Sequence, residues 1–149
     1  MRACVRVRAL LFHRDTIEWA VSQELATLEG WVNQRESLYL NGHSLDAARC
    51  AAGGVLELVE EVVGGRARNG MALVRPPGHH AEAHAAMGFC VFNTVAVAAQ
   101  YARTHLGCRR VLIVDWDIHH GVQATALTLS VCAACRAHSL LTAYAVRAT

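Results

Sequence analysis

The segment Asp115-Trp116-Asp117-Ile118-His119-His120 sets carboxylates and an imidazole at alternate positions. In an extended segment successive side chains point to opposite faces, so Asp115, Asp117 and His119 would share one side. A carboxylate and an imidazole two residues apart can then chelate one metal ion, and zinc accepts both ligand types at about 2.0–2.2 Å. Alone, D-x-H more often describes a strand-end carboxylate capping a neighbouring helix beside a surface histidine. A second cluster is Arg75-Pro76-Pro77-Gly78-His79-His80. Its prolines stiffen a loop, and Gly78 permits tight geometry. Two adjacent histidines on such a loop, beside a metal, could serve as general base and electrostatic partner. Read alone, they are equally surface histidines or a crude metal clip.

These side chains need elements to hold them. Residues 15–32 carry Ile17, Ala20, Val21, Leu25 and Leu28 at helical spacing, which predicts one helix. The segment 44–63 predicts another, with Ser44 as its cap and Asp46 in the first turn. Its apolar face is Ala48, Ala51, Val55, Leu58, Val59 and Val62, and Gly64-Gly65 ends it. Met71–Val74 reads as a buried strand stopped by the prolines, and 78–92 as a long loop of small and polar residues. Thr94–His105 is a further amphipathic helix, and Arg110–Val114 a second buried strand. Residues 1–12 fit a short strand or a frayed end, and 37–40 a short extended piece. This order is α/β, with two parallel strands joined by a right-handed crossover. Such sheets place ligands beyond the carboxyl ends of the strands, where both polar clusters lie.

Composition bounds the alternatives. The 149 residues suit one domain, and 54% hydrophobic content argues against wholesale disorder. All 14 basic residues are Arg, and the net charge of +2 gives no ground for direct nucleic-acid binding. No run approaches the roughly 18–20 apolar residues of a membrane span. The apolar run at 9–12 is too short for a signal-peptide core of about 7–15 residues. Four Arg precede Asp15, a charge pattern shared with mitochondrial presequences. Six scattered cysteines form no evident disulfide framework, which fits a reduced compartment. All 12 acids lie at or before Asp117, and no Gly follows Gly121.

Together the clusters, with Gly88-Phe89-Cys90-Val91-Phe92-Asn93 between them, resemble the zinc-dependent histone deacetylase family. The matching strings are RPPGHHAEAHAAMGFCVFN (75–93) and RRVLIVDWDIHHG (109–121). The RPPGHHAE form and the Trp of DWD are similar to class II members, nearest to class IIb. Weaker similarity extends back to residue 36. The resemblance implies an N-terminal segment (1–35), a partial deacetylase domain (36–121) and a divergent tail (122–149). It implies part of a three-layer α/β/α arginase/deacetylase-like fold with a parallel sheet, truncated. By motif, Asp117 and His119 would be zinc ligands. His80 would be the general base that activates the zinc-bound water and then the acid for the leaving amine. His79 would stabilise transition-state charge. Asp115 would orient His79 and help hold a monovalent cation such as K+. Phe89 would wall the acyl-lysine tunnel, and Gly88 would let the side chain pass. The family reaction converts N-acetyl-lysine to lysine and acetate.

Departures from the pattern begin after Gly121. Val122 stands where the family carries a polar residue supporting the second histidine. The family's third zinc ligand is a downstream Asp, and no acid follows Asp117 here. Tyr144, the sole late tyrosine, is not in the Gly-rich loop of the family's carbonyl-polarising Tyr. With two ligands and no such Tyr, negligible turnover by the chain alone is expected. The tail pattern Cys132-x-x-Cys135-x-x-His138 could bind zinc or do redox chemistry, or be an altered-frame tail. The resemblance implies acetyl-lysine protein substrates (histones, tubulin), with an acetylpolyamine as the alternative. It also implies a cytoplasmic and/or nuclear setting. The other reading is a non-catalytic interaction fragment, which would associate with other chains through an exposed sheet edge.

Overall fold

The computed structural model describes residues 14–115 and 117–119. Among the described residues, four α-helices follow in order: α1 (Arg14–Val21), α2 (Leu25–Val32), α3 (Ser44–Val63) and α4 (Thr94–His105). The last two take the bounds that periodicity predicts. The single helix expected over 15–32 is two. The Ser22 hydroxyl and the Gln23 amide both donate to Trp19 O, at 2.7 and 2.9 Å. Side chains that capture a helical carbonyl compete with the next turn, and the helix stops there.

Helix α3 starts differently from the expectation. Ser44 is its first helical residue, and the preceding His43 makes no side-chain cap bond. The Ser44 hydroxyl instead accepts the Asn41 amide at 2.8 Å, closing the turn before the helix. The buried face is Leu45, Ala48, Ala51, Ala52, Gly53, Leu56 and Val59. It is shifted from the expected stripe, which contained neither Leu45 nor Leu56. Gly65, at φ 73°, ends α3 in the left-handed region that glycine adopts without penalty.

Helix α4 is covered on more than one side, with Val95, Val97, Ala98, Ala99, Tyr101 and Ala102 all buried. Its small residues let α3 approach closely, and α3 with α4 forms the main packing layer. The Tyr101 hydroxyl donates to the Glu60 carboxylate across that layer. The helix ends with the Leu106 and Cys108 amides both donating to Ala102 O, and Gly107 at φ 74° makes the turn. Helix α1 is pinned to α3 by Arg49, whose guanidinium meets Glu18 at 2.6 Å. One core joins Ile17, Leu28, Leu40, Leu56, Phe92, Tyr101, Val111 and Ile113.

The two expected strands are not strands among the described residues. An isolated Met87–Cys90 bridge and one bridge position at Ile113 are the extended pairing assigned there. Met71 and Leu73 are 64% and 89% exposed, so that run is not buried. In 111–113, Val111 and Ile113 are buried while Leu112 faces outward. A helix satisfies its backbone internally, whereas a strand exists only where a neighbour pairs with it. Apolar content alone therefore could not secure either run as a strand.

Candidate active site

The 78–92 loop is seated on the N-terminus of α4. A Cβ at Gly78 would lie 2.3 Å from Thr94 Oγ1 and 2.5 Å from Thr94 N, so only glycine lets the backbone pass there. Asn93 secures the same junction twice. Its Oδ1 accepts the Ala96 amide at 2.9 Å as the helix cap, and its Nδ2 donates to Ala81 O at 3.0 Å. His79 and His80 therefore stand at the head of a buried helix. The peptide between Arg75 and Pro76 is cis.

From the other side comes 113–119. Asp115 Oδ2 accepts from His79 Nδ1 at 2.9 Å, and its Oδ1 accepts the Asp117 amide at 3.1 Å. Asp117 Oδ1 in turn accepts the His119 amide at 2.9 Å and lies 3.0 Å from His119 Nδ1. The segment is thus a chain of turns closed by aspartate side chains, not the extended ladder expected from alternation. Asp115 faces His79, while Asp117 and His119 face one another.

The rings form a row. His79 and His80 have centroids 4.1 Å apart, and His80 and His119 6.3 Å apart. Asp115 stands behind one end and Asp117 behind the other. The hydrogen bond to Asp115 raises the His79 pKa above its ordinary value, with burial opposing the shift and the charges of Asp115 and Asp117 adding to it. Burial works against ionisation of Asp115, yet the bonds from His79 and the Asp117 amide outweigh it and hold its pKa below the ordinary value.

Gly88 and Phe89 form the tip of a turn closed by the Met87–Cys90 backbone pair, at 2.9 and 3.0 Å. Both residues have positive φ, 54° and 64°. The Gly88 and Phe89 amides donate to Glu36 O and Ser37 O at 3.1 and 2.8 Å, so the segment before α3 holds the tip in place. Phe89 is 65% exposed and shares a groove of about 250 Å³ with Tyr39, Arg75 and Pro76. A Cβ at Gly88 would lie 2.7 Å from His80 Cβ, so Gly88 is pressed against the second histidine.

Some contributors escaped the sequence reading. Cys90 is fully buried, accepts the His80 amide at 3.4 Å and donates to Gly88 O at 3.3 Å. Asn93, directly before an amphipathic helix, carried a readable cap signal. Glu36 and Ser37 act through backbone carbonyls, which no side-chain pattern announces. His120, Trp116, Val122, Tyr144 and the Cys132/Cys135/His138 pattern lie outside the described residues.

Asp117 and His119 suit zinc in ligand type. Among the described residues, however, no group of three or more His, Cys, Asp or Glu side chains gathers to hold a metal ion. A zinc site needs a third protein ligand, so the described residues alone do not fit the ion.

Imidazoles paired with half-buried carboxylates are groups able to move protons and stabilise charge. The comparisons name the class. The histone deacetylase domain family matches residues 8–129, and the chain belongs to that family. Histone deacetylase 5 of Arabidopsis thaliana is 58% identical over 92 residues, covering 60% of this chain and 14% of that protein. Polyamine deacetylase HDAC10 of Danio rerio is 43% identical over 125 residues, covering 81% and 18%. The crystal structure of the HDA15 HD domain matches with a TM-score of 0.57 at 52% identity, over 59% of this chain and 25% of that one. The chain thus spans less than a fifth of either curated relative and a quarter of the solved chain. Its fold is that of the family's domain over the matched part, arginase/deacetylase-like by family.

Proposed function

We propose that the chain carries the histidine-bearing part of a class IIb-like, zinc-dependent deacetylase centre that hydrolyses N-acetyl-lysine. The observation that supports it is the row His79–His80–His119 with Asp115 behind one end and Asp117 behind the other. Within it, Asp115 fixes His79 with Nδ1 donating and favours its charged form, suited to negative charge growing on the amide oxygen. His80, between its two neighbours, takes a proton from the attacking water and returns it to the departing amine. Phe89 and Gly88 border the path of the acyl-lysine side chain. Asp117 and His119 would hold zinc only with a third ligand from elsewhere, and the ion would then supply Lewis acidity; a monovalent cation such as K+ would sit near Asp115.

The site-forming part is 36–121, flanked by 1–35 and 122–149, within a three-layer α/β/α arrangement around a parallel sheet. No acid follows Asp117 in the 149 residues, so these residues by themselves offer two zinc ligands and negligible turnover is expected unless a third is supplied. Substrates are acetyl-lysine proteins such as histones or tubulin in cytoplasm or nucleus. An acetylpolyamine is the alternative, supported by the polyamine deacetylase relatives. A second reading, a non-catalytic fragment that associates with other chains, is favoured by the exposed Met71 and Leu73.

Zinc stoichiometry of the purified chain, with Asp117→Ala alongside, tests the metal centre. About one zinc per chain, lost in the variant, is expected if a third ligand is recruited. No bound zinc sinks the metal site for this chain and leaves the fragment reading. Zinc-dependent deacetylation of an acetyl-lysine peptide, abolished by His80→Ala, would overturn the inactivity.

A further inference from the structure

We infer, resting on the reading of His80 as the proton-transfer residue, that Cys90 is the positioning residue that fixes His80 against Gly88. The thiol lies at 0% exposure inside the 87–90 turn. It makes two bonds of opposite sense. Sγ accepts the His80 backbone amide at 3.4 Å, and S–H donates to Gly88 O at 3.3 Å. One atom therefore gathers the backbones of the two residues whose contact sets the ring row. That contact leaves no slack, since a Cβ at Gly88 would stand 2.7 Å from His80 Cβ, Cγ and Cδ2.

The role needs a group that is donor and acceptor at once. Cys supplies both only while it keeps its proton. Burial pushes the Cys90 thiol up to about 11, with the His80 and Ala81 amides pulling the other way, so the S–H is present at neutral pH. Ser offers the same pair of roles on a shorter bond. Val fills a similar volume with neither. The three side chains separate hydrogen bonding from packing.

The test uses the full chain, 15N-labelled, as wild type, Cys90→Ser and Cys90→Val. Amide exchange at His80 and the NOE between His80 Hβ and Gly88 Hα are the readouts. Cys90→Val is expected to speed His80 exchange about tenfold and weaken the NOE, while Leu56 in the middle of α3 keeps its rate. Cys90→Ser is expected to keep both readouts near wild type. If the Val chain fails to fold, Cys90→Ala is read in its place. Unchanged His80 exchange and NOE in Cys90→Val overturn the assignment. So does equal acceleration at His80 and Leu56, which marks a packing role alone. Zinc titration of the same samples reports separately on the deacetylase reading. A chain that binds no zinc yet loses His80 protection in Cys90→Val retires that reading and keeps the positioning role.

Discussion

Replacing Gly88 with alanine should cost more than replacing Gly65 or Gly30, and these two controls say why. At Gly88 the backbone has φ +54° and the new methyl would meet His80 at 2.7 Å. The left-handed conformation costs an L-residue about 1–2 kcal/mol. Forcing His80 back by roughly 1 Å to reach normal contact adds an overpacking penalty of about 1–3 kcal/mol. The expected total is about 2–5 kcal/mol, or a Tm lower by about 4–20 °C for a chain of this size. Gly65→Ala carries the same backbone penalty at φ +73° with nothing within 4 Å, so it should cost about 1–2 kcal/mol. Gly30→Ala, inside α2 with open space and no positive φ, should stabilise by about 1 kcal/mol. Urea unfolding of the three variants gives the ranking. The His80 ring resonances should move in Gly88→Ala and stay put in the other two. A Gly88→Ala cost equal to that of Gly65→Ala, with His80 unmoved, would refute the close packing of Gly88 on His80.

Two further outcomes concern the same site. The raised His79 contributes stability that is full below its unfolded pKa of 6.5 and is lost as pH rises through the folded value. The lowered Asp115 contributes stability that is full above its unfolded pKa of 3.8 and is lost as pH falls through the folded value. The pair is thus strongest between about pH 4 and 6.5, so the urea midpoint gap between wild type and Asp115→Asn should shrink from about pH 5.5 to about pH 8.5. A gap that widens with pH would contradict the assigned directions. Asn93→Ala removes the α4 cap and the bond to Ala81 O, and should cost about 1–2 kcal/mol by the same assay. A loss below about 0.5 kcal/mol would mean neither bond holds in solution.

Legibility in the sequence followed the range of the physics involved. Helices α3 and α4 were readable because their periodicity and their ends are local. The stop at Ser22 was missed because helical spacing is blind to side chains that bond back to Trp19 O. The extended runs at 71–74 and 110–114 were overread, since a strand depends on a partner that no local pattern names. In the site, the His79–Asp115 contact joins residues 36 apart, and the resemblance pointed to it because the two motifs come as a set. Alternation gave a different local picture of 115–119, where aspartate-closed turns replace an extended run. Cys90 and the carbonyls of Glu36 and Ser37 carried no signal, because their contribution lies in where the chain folds back.

The contacts from Glu36 and Ser37 to the Gly88–Phe89 tip bear on the order in which the molecule is made. They close a loop of roughly 50 residues, and closure entropy must be met before such a contact returns anything. Emerging from a ribosome, α1, α2 and α3 can begin to pack while the tip is still unsynthesised. The tip docks next, on a platform already waiting for it. His79 meets its carboxylate only once Asp115 has appeared. The imidazole row is therefore a late product of folding, and a chain arrested between residues 93 and 115 would hold the tip without the braced histidine.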